Sequence, residues 1–222
     1  MVSSADFREQ IGHIPIAREG VPYIAAGVFL TVVAALAAPW IATWALAGLT
    51  LLVAHFFRDP QRVTAAEEGE LVSPADGRVI VVERVTEPRF TGNRCWKISI
   101  FMSVFNVHVN RAPFSGVLEK LYYRKGGFRA AQTDRADAEN EQNWLWIRSD
   151  SGLDVVVVQV AGLVARRIVC WPRPGDWLER GERFGLIRFG SRLDVYVPEG
   201  GEMAVSKGDR VVAGESVLWR TK

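Results

Sequence analysis

Cysteine is scarce in this chain: there are two in 222 residues, Cys95 and Cys170, and they lie far apart. That excludes a disulfide framework and any Cys/His zinc spacing, and it points to a reducing, cytosol-facing compartment. A charge excess is also missing. Lys+Arg is 27 against Asp+Glu 25, a net charge of +2, too weak a field for a polyanion-binding protein, so no nucleic-acid partner is expected. No P-loop, GxGxxG, HExxH or GxSxG motif occurs, which removes the common nucleotide, zinc-protease and serine-hydrolase readings. No metal site is expected. Histidine is sparse too, and of the three only His108 stands clear of the N-terminal apolar region. What remains is globular in balance, 49% hydrophobic and 23% charged, which excludes global disorder. The length suits one domain with an appendage.

The apolar residues are unevenly placed. From Val21 to Phe57 no Asp, Glu, Lys or Arg occurs. The run is too long for one bilayer crossing and slightly short for two. Ala38-Pro39-Trp40 near its middle breaks it, because proline ends helices and tryptophan favours the membrane interface. Two short helices are predicted, roughly Tyr23–Ala38 and Ile41–His55, forming a membrane-associated hairpin. Arg18 before the run and Arg58 and Arg62 after it place both flanks on the cytoplasmic face. A buried helical pair in a soluble core is the plainer alternative. Cleavage of a signal peptide after Ala35-Leu36-Ala37 is not expected, since hydrophobicity resumes at once. Residues 1–57 therefore form a membrane-associating segment and 58–222 the soluble domain.

From Leu71 onward the pattern is β. Strands are predicted at Val79–Val82, Lys97–Val109 (with Ile98, Ile100, Met102 and Val104 on one face), Val117–Tyr123, Trp144–Arg148, Asp154–Val160, Arg167–Trp171, Phe184–Phe189 and Leu193–Val197. The one helix-like soluble stretch, Ala136–Asn143, is short, acidic and better read as a loop. Short strands between regular turns indicate an antiparallel sandwich or barrel. The fold class is mainly β, a barrel-sandwich-like antiparallel domain behind an α-helical hairpin. The units Ser73–Val79 and Val205–Glu215 resemble those of biotinyl and lipoyl carrier domains, but the Met-Lys-Met signature is absent and Lys207 sits in a turn.

Four stretches occur in order: Phe56-Phe57-Arg58-Asp59-Pro60, Ser73-Pro74-Ala75-Asp76-Gly77, Phe101–Pro113 and Arg188-Phe189-Gly190-Ser191-Arg192. Each alone is weak, and Gly-Ser by itself is an ordinary turn. Together, behind a membrane hairpin and about thirty residues before the C-terminus, they resemble the phosphatidylserine decarboxylase family in its short bacterial form. The resemblance covers nearly the whole chain. It implies that Ser191 attacks the Gly190 carbonyl, that the chain divides there into a large β and a small α chain, and that Ser191 becomes a covalent pyruvoyl group, the sole cofactor. Glycine at 190 suits a sharp bend that exposes its carbonyl, and flanking strands would hold the bond in place.

The resemblance also implies roles for other residues. Asp76 matches an aspartate linked to self-cleavage, and an Asx-type turn with Gly77 is compatible with that. His108 matches the first of two histidines found in longer members. Arg111 occupies the place of the second and cannot act as a base at neutral pH. His108 is expected to return a proton to the substrate carbon, and whether it also drives self-cleavage stays open. Arg111 is a candidate for the phosphate or carboxylate. Arg192 stands where the family usually has threonine, and it too is a candidate for the lipid phosphate. Of Arg166 and Arg167, at most one can face a site; Arg166 is carried as a phosphate contact, with a solvated charge equally open. The implied activity is conversion of phosphatidylserine to phosphatidylethanolamine and CO2 at the cell membrane. The implied partners are the lipid substrate and the protein's own β and α chains as a heterodimer, with a higher oligomer left open. A related serine phospholipid such as archaetidylserine, or a non-catalytic membrane adaptor, are the competing readings.

Overall fold

The computed structural model describes residues 15–127, 139–162, 167–188 and 190–222. The chain divides into two compact units at Gln61/Arg62.

In the first unit a short 3-10 turn, Arg18–Gly20, leads into α1, Val21–Ala37, and α2, Trp40–Phe56. Pro22 falls in the first turn of α1, where its missing N–H costs nothing. Pro39 caps α2 and so breaks the apolar run where the sequence predicted. The helices are joined by side chains that keep their own polar atoms satisfied. Thr31 and Thr50 each donate to the carbonyl four residues earlier (2.8 Å) and approach each other at 3.5 Å. The outer faces are apolar and exposed, with Leu36 84% and Trp40 71% accessible. Arg18–Ala37, with mean hydropathy 2.0, is long and apolar enough to cross a membrane; α2 is shorter. The Phe56–Pro60 motif closes the base of the hairpin. Phe57 stacks on Tyr23 at 5.7 Å, its carbonyl accepts the Ala17 N–H, and Asp59 N–H bonds the Pro15 carbonyl. Arg58 donates to the His55 carbonyl at 2.7 Å, satisfying one of the open carbonyls at the helix end.

The second unit is β throughout its named elements. In order they are β1 (Glu70–Val72), β2 (Gly77–Thr86), β3 (Arg94–Met102), β4 (Val109–Arg111), β5 (Gly116–Arg124), β6 (Gln142–Arg148), β7 (Asp154–Val160), β8 (Ile168–Cys170), β9 (Trp177–Leu178), β10 (Arg183–Ile187), β11 (Ser191–Pro198), β12 (Glu202–Met203), β13 (Arg210–Val211) and β14 (Val217–Arg220). The main sheet has the order β13-β2-β3-β11-β7-β6-β5-β9, and every neighbour is antiparallel. Two three-stranded sheets accompany it, β1-β14-β12 and β4-β10-β8. Ile98, Ile100 and Met102 of β3, Leu193, Val195 and Val197 of β11, and Phe184, Leu218 and Trp219 from the smaller sheets share one core. The opposite face of the main sheet carries a second cluster, in which Trp144 stacks on Tyr196.

One predicted strand is shorter than expected. The alternation over Lys97–Val109 breaks after Met102, because Asn106 Oδ1 accepts both the N–H and the hydroxyl of Ser103 (2.9 and 2.8 Å) and turns the chain. Val104 and Phe105 are exposed at that turn, and β4 resumes in a different sheet. Of Ala136–Asn143, residues 136–138 lie outside the described residues, and Gln142 and Asn143 open β6.

Candidate active site

Gly190 and Ser191 occupy the junction where the chain leaves one sheet for another. β10 pairs with β4 and β8, whereas β11 lies between β3 and β7. Gly190 has φ +49°, a left-handed conformation that side chains disfavour. A Cβ there would meet nothing within 4 Å, so conformation and not space selects glycine. Ser191 opens β11 directly across from Met102 of β3. Its alternation with Leu193, Val195 and Val197 turns its side chain toward the main core. Ser191 Oγ is buried and makes no hydrogen bond among the described residues, a costly arrangement for a hydroxyl without a function.

His108 lies just before β4, which pairs with β10 through Val109↔Leu186 and Asn110↔Gly185. Continued by one residue, that register sets His108 opposite Ile187, close to the junction. The ring is buried, and Nδ1 lies 3.0 Å from the Asn106 carbonyl. A carbonyl only accepts, so in the neutral ring the proton sits on Nδ1 and the lone pair on Nε2.

Asp76 precedes β2 on the far side of β3 from Ser191. The row Arg78↔Phe101↔Arg192 makes the separation two strand spacings, roughly 10 Å. Gly77 is required there by proximity, since a Cβ would fall 2.2 Å from the Phe101 carbonyl oxygen. The Asp76 carboxylate accepts from Arg62 Nη2 (3.0 and 3.3 Å) and from the Ala213 N–H (2.8 Å). Arg62 also reaches Glu215 at 3.5 Å. A residue that resembled a membrane-flanking charge in the sequence is thus an internal ion-pair partner, 13% exposed.

The four arginines are placed differently from one another. Arg111 is buried and donates from Nη1 to the Gly181 carbonyl at 2.8 Å, with its Cδ against Gly214. Arg192 forms a bidentate pair with Asp194 (2.8 and 2.9 Å), and Lys97 lies 4.0 Å from the same carboxylate. Alternation puts this cluster on the opposite face of β11 from Ser191. Arg166 lies outside the described residues. Arg167 is exposed, and its carbonyl accepts the Arg188 N–H at 3.3 Å.

Cysteine does not compete with Ser191 as a nucleophile. Burial pushes both thiols, Cys95 and Cys170, up to about 11, so neither is a thiolate at neutral pH. Among the described residues no three His, Cys, Asp or Glu side chains gather as a metal site would require.

The family model of phosphatidylserine decarboxylase matches residues 49–218, a span that contains Asp76, His108, Gly190 and Ser191. The chain belongs to the phosphatidylserine decarboxylase family. It is 52% identical over 204 residues to the phosphatidylserine decarboxylase proenzyme of Geotalea uraniireducens, covering 92% of this chain and 95% of that one. The corresponding proenzyme of Symbiobacterium thermophilum is 52% identical over 205 residues, covering 92% and 95%. That of Ruegeria pomeroyi is 50% identical over 208 residues, covering 92% and 94%. As a member of this family the chain is a decarboxylase.

Proposed function

We propose that the chain is the precursor of a decarboxylase that cuts itself between Gly190 and Ser191 and then converts phosphatidylserine to phosphatidylethanolamine and CO2. The observation that carries this is the buried Ser191 Oγ, without a hydrogen bond among the described residues, next to a left-handed Gly190 at a junction between sheets. The relatives' description as proenzymes agrees with it.

The chemistry needs only the chain and water. Ser191 Oγ loses its proton and bonds to the Gly190 carbonyl carbon. The C–N bond then breaks, leaving an ester. Loss of the Ser191 α-proton expels Gly190 as a carboxylate and leaves dehydroalanine, which takes up water and releases ammonia to give a pyruvoyl N-terminus. That group supplies an electron sink for loss of CO2 from an amino acid. The fit of these residues rests on Ser191, whose side chain lies inside the core beside Met102, so the group forms away from bulk water.

His108 Nε2 is the proton carrier, its tautomer set by the Asn106 carbonyl. Asp76 and Arg62 hold segments from both sides of the cut, since Ala213 and Glu215 belong to the small chain. Arg111 positions the Gly181 and Gly214 turns. The two chains remain a heterodimer because β11 stays paired with β3 and β7, and β14 with β1. The apolar α1 and α2 keep the enzyme at the membrane that holds its substrate.

A denaturing gel with mass spectrometry tests this. Wild-type protein should give two fragments meeting at residue 191, and only the small one should react with a carbonyl reagent. Ser191→Ala should stay intact and inactive. A wild-type chain that remains uncut in an active preparation overturns the reading.

A further inference from the structure

Three amides are buried against the face of the main sheet that Ser191 shares: Asn110, Gln159 and Asn143, at 0%, 0% and 2% exposure. They are linked head to tail. Asn143 Nδ2 donates to Gln159 Oε1 at 2.9 Å, and Gln159 Nε2 donates to Asn110 Oδ1 at 2.9 Å. The direction is fixed by the main chain, because Gln159 Nε2 also faces the Val169 carbonyl at 3.4 Å, and a carbonyl can only accept. The chain of donors therefore ends at Asn110 Nδ2. Among the described residues its one partner is the Met102 thioether, at 3.7 Å, a weak acceptor. Each amide polarises the next, so the best donor of the series is given the poorest acceptor.

The position of that donor follows from the strand order. Met102 lies on β3 and Gln159 on β7, and β11 runs between them. Met102 is directly opposite Ser191 and Gln159 directly opposite Leu193, and opposed residues share a face of the sheet. An amide that touches both side chains spans β11 over the stretch from Ser191 to Leu193. Ser191 is on that same face of the sheet, and its buried Oγ makes no hydrogen bond among the described residues.

We infer that Asn110 is a catalytic residue of self-cleavage, whose Nδ2 donates to the oxyanion formed when Ser191 Oγ adds to the Gly190 carbonyl. Gln159 is the positioning residue that aims it. This rests on the serinolysis reading above. In that step the carbonyl electron pair moves onto oxygen as the Oγ–C bond forms, and returns as the C–N bond breaks and the Ser191 amine takes a proton. The oxyanion shares its carbon with Oγ, so it arises inside the same buried space, where a fixed donor is worth most.

The test follows the cleavage rate of the full chain on denaturing gels, with wild type and Ser191→Ala alongside. Asn110→Leu keeps the approximate volume and removes the donor, and it should slow cleavage by roughly 10²–10³-fold. Asn110→Asp supplies the second measurement. Its carboxylate cannot donate but its protonated form can, so the ratio of its rate to wild type should rise as pH falls. A merely structural role would leave that ratio flat. Cleavage of Asn110→Leu at the wild-type rate overturns the inference. If that variant does not fold, a flat ratio for Asn110→Asp overturns it. An uncut wild type would instead remove the serinolysis reading itself.

Discussion

Glycine at position 190 is held by its dihedral angle alone, which permits a graded test. At φ +49°, with nothing within 4 Å of where a Cβ would sit, alanine would suffer no clash. Its cost is the left-handed backbone, roughly 1–2 kcal/mol for an L-residue. If cleavage requires the bend seen at the junction, that cost lowers the competent population by about 5–30-fold, since about 1.4 kcal/mol is tenfold. Asparagine tolerates the left-handed region better than alanine, and a β-branched residue tolerates it worst. The expected order of self-cleavage rates is therefore Gly190, Gly190→Asn, Gly190→Ala, Gly190→Val. The assay is the appearance of the small chain over time at one temperature, with total protein as the reference. Because the loss is conformational, the slower variants should still reach full cleavage. Equal rates for glycine and alanine would show that the bend is not needed. Alanine faster than asparagine would show that side-chain bulk, and not backbone conformation, sets the rate.

The Arg192–Asp194 pair is 4% and 3% exposed, so Arg192→Met should lower unfolding stability by about 3 kcal/mol, the lower end for a buried pair that loses one partner, with Lys97 still near. Adding Asp194→Leu should recover most of it, measured in the uncut Ser191→Ala background, and an additive further loss would refute the pairing. Cys95 and Cys170 should react slowly with a thiol reagent at pH 8. Their folded values near 11 exceed that of an unfolded thiol, ~8.5, so their stabilisation is complete below about pH 8.5 and is lost as pH rises toward 11. Fast labelling of folded protein at pH 8 would contradict this. Arg62→Met removes charge-assisted bonds to Asp76 and should cost about 2–3 kcal/mol in the same background. Arg62→Lys should restore part of it, and an unchanged unfolding midpoint for Arg62→Met would show that the pair contributes nothing.

The helical hairpin and most strands were legible because each follows a local period or a local breaker. Pro39 marks the turn between α1 and α2, and the four consecutive valines Val155–Val158 within Asp154–Val160 mark a strand buried on both faces. The end of β3 was not legible, because Val104 continues the alternation and only the Asn106 side chain stops it. The junction Gly190-Ser191 was visible through its motif, as were Asp76 and His108. Their partners were not. Arg62 follows an apolar run and resembles a topological charge until the fold brings Asp76 to it. Asn110 sits within the His108 motif, yet its significance depends on Gln159, which interrupts the valine run Val155–Val160. A lone polar residue in such a run is the signal that was available, since a buried amide needs partners from elsewhere in the chain.

If the chain is cut as proposed, the location of the cut lets a folded core lose a peptide bond and keep its shape. Gly190 and Ser191 join strands that belong to different sheets, so the bond between them precedes β11 and does not interrupt a strand. Downstream, β11 is paired along its whole length with β3 and over most of it with β7, at the centre of the main sheet. β13 adds to β2, and β14 lies between β1 and β12. The proposed small chain would thus be bound through strands of the main sheet and of β1-β14-β12 and through Leu193, Val195, Leu218 and Trp219 in the core. Separating it would expose those side chains and the unpaired edges of β3 and β7 together, at about 1.5–3 kcal/mol for each large apolar side chain. Cleavage at this bond would therefore release a new N-terminus locally, at the residue the core already encloses, while the strands on either side keep it there.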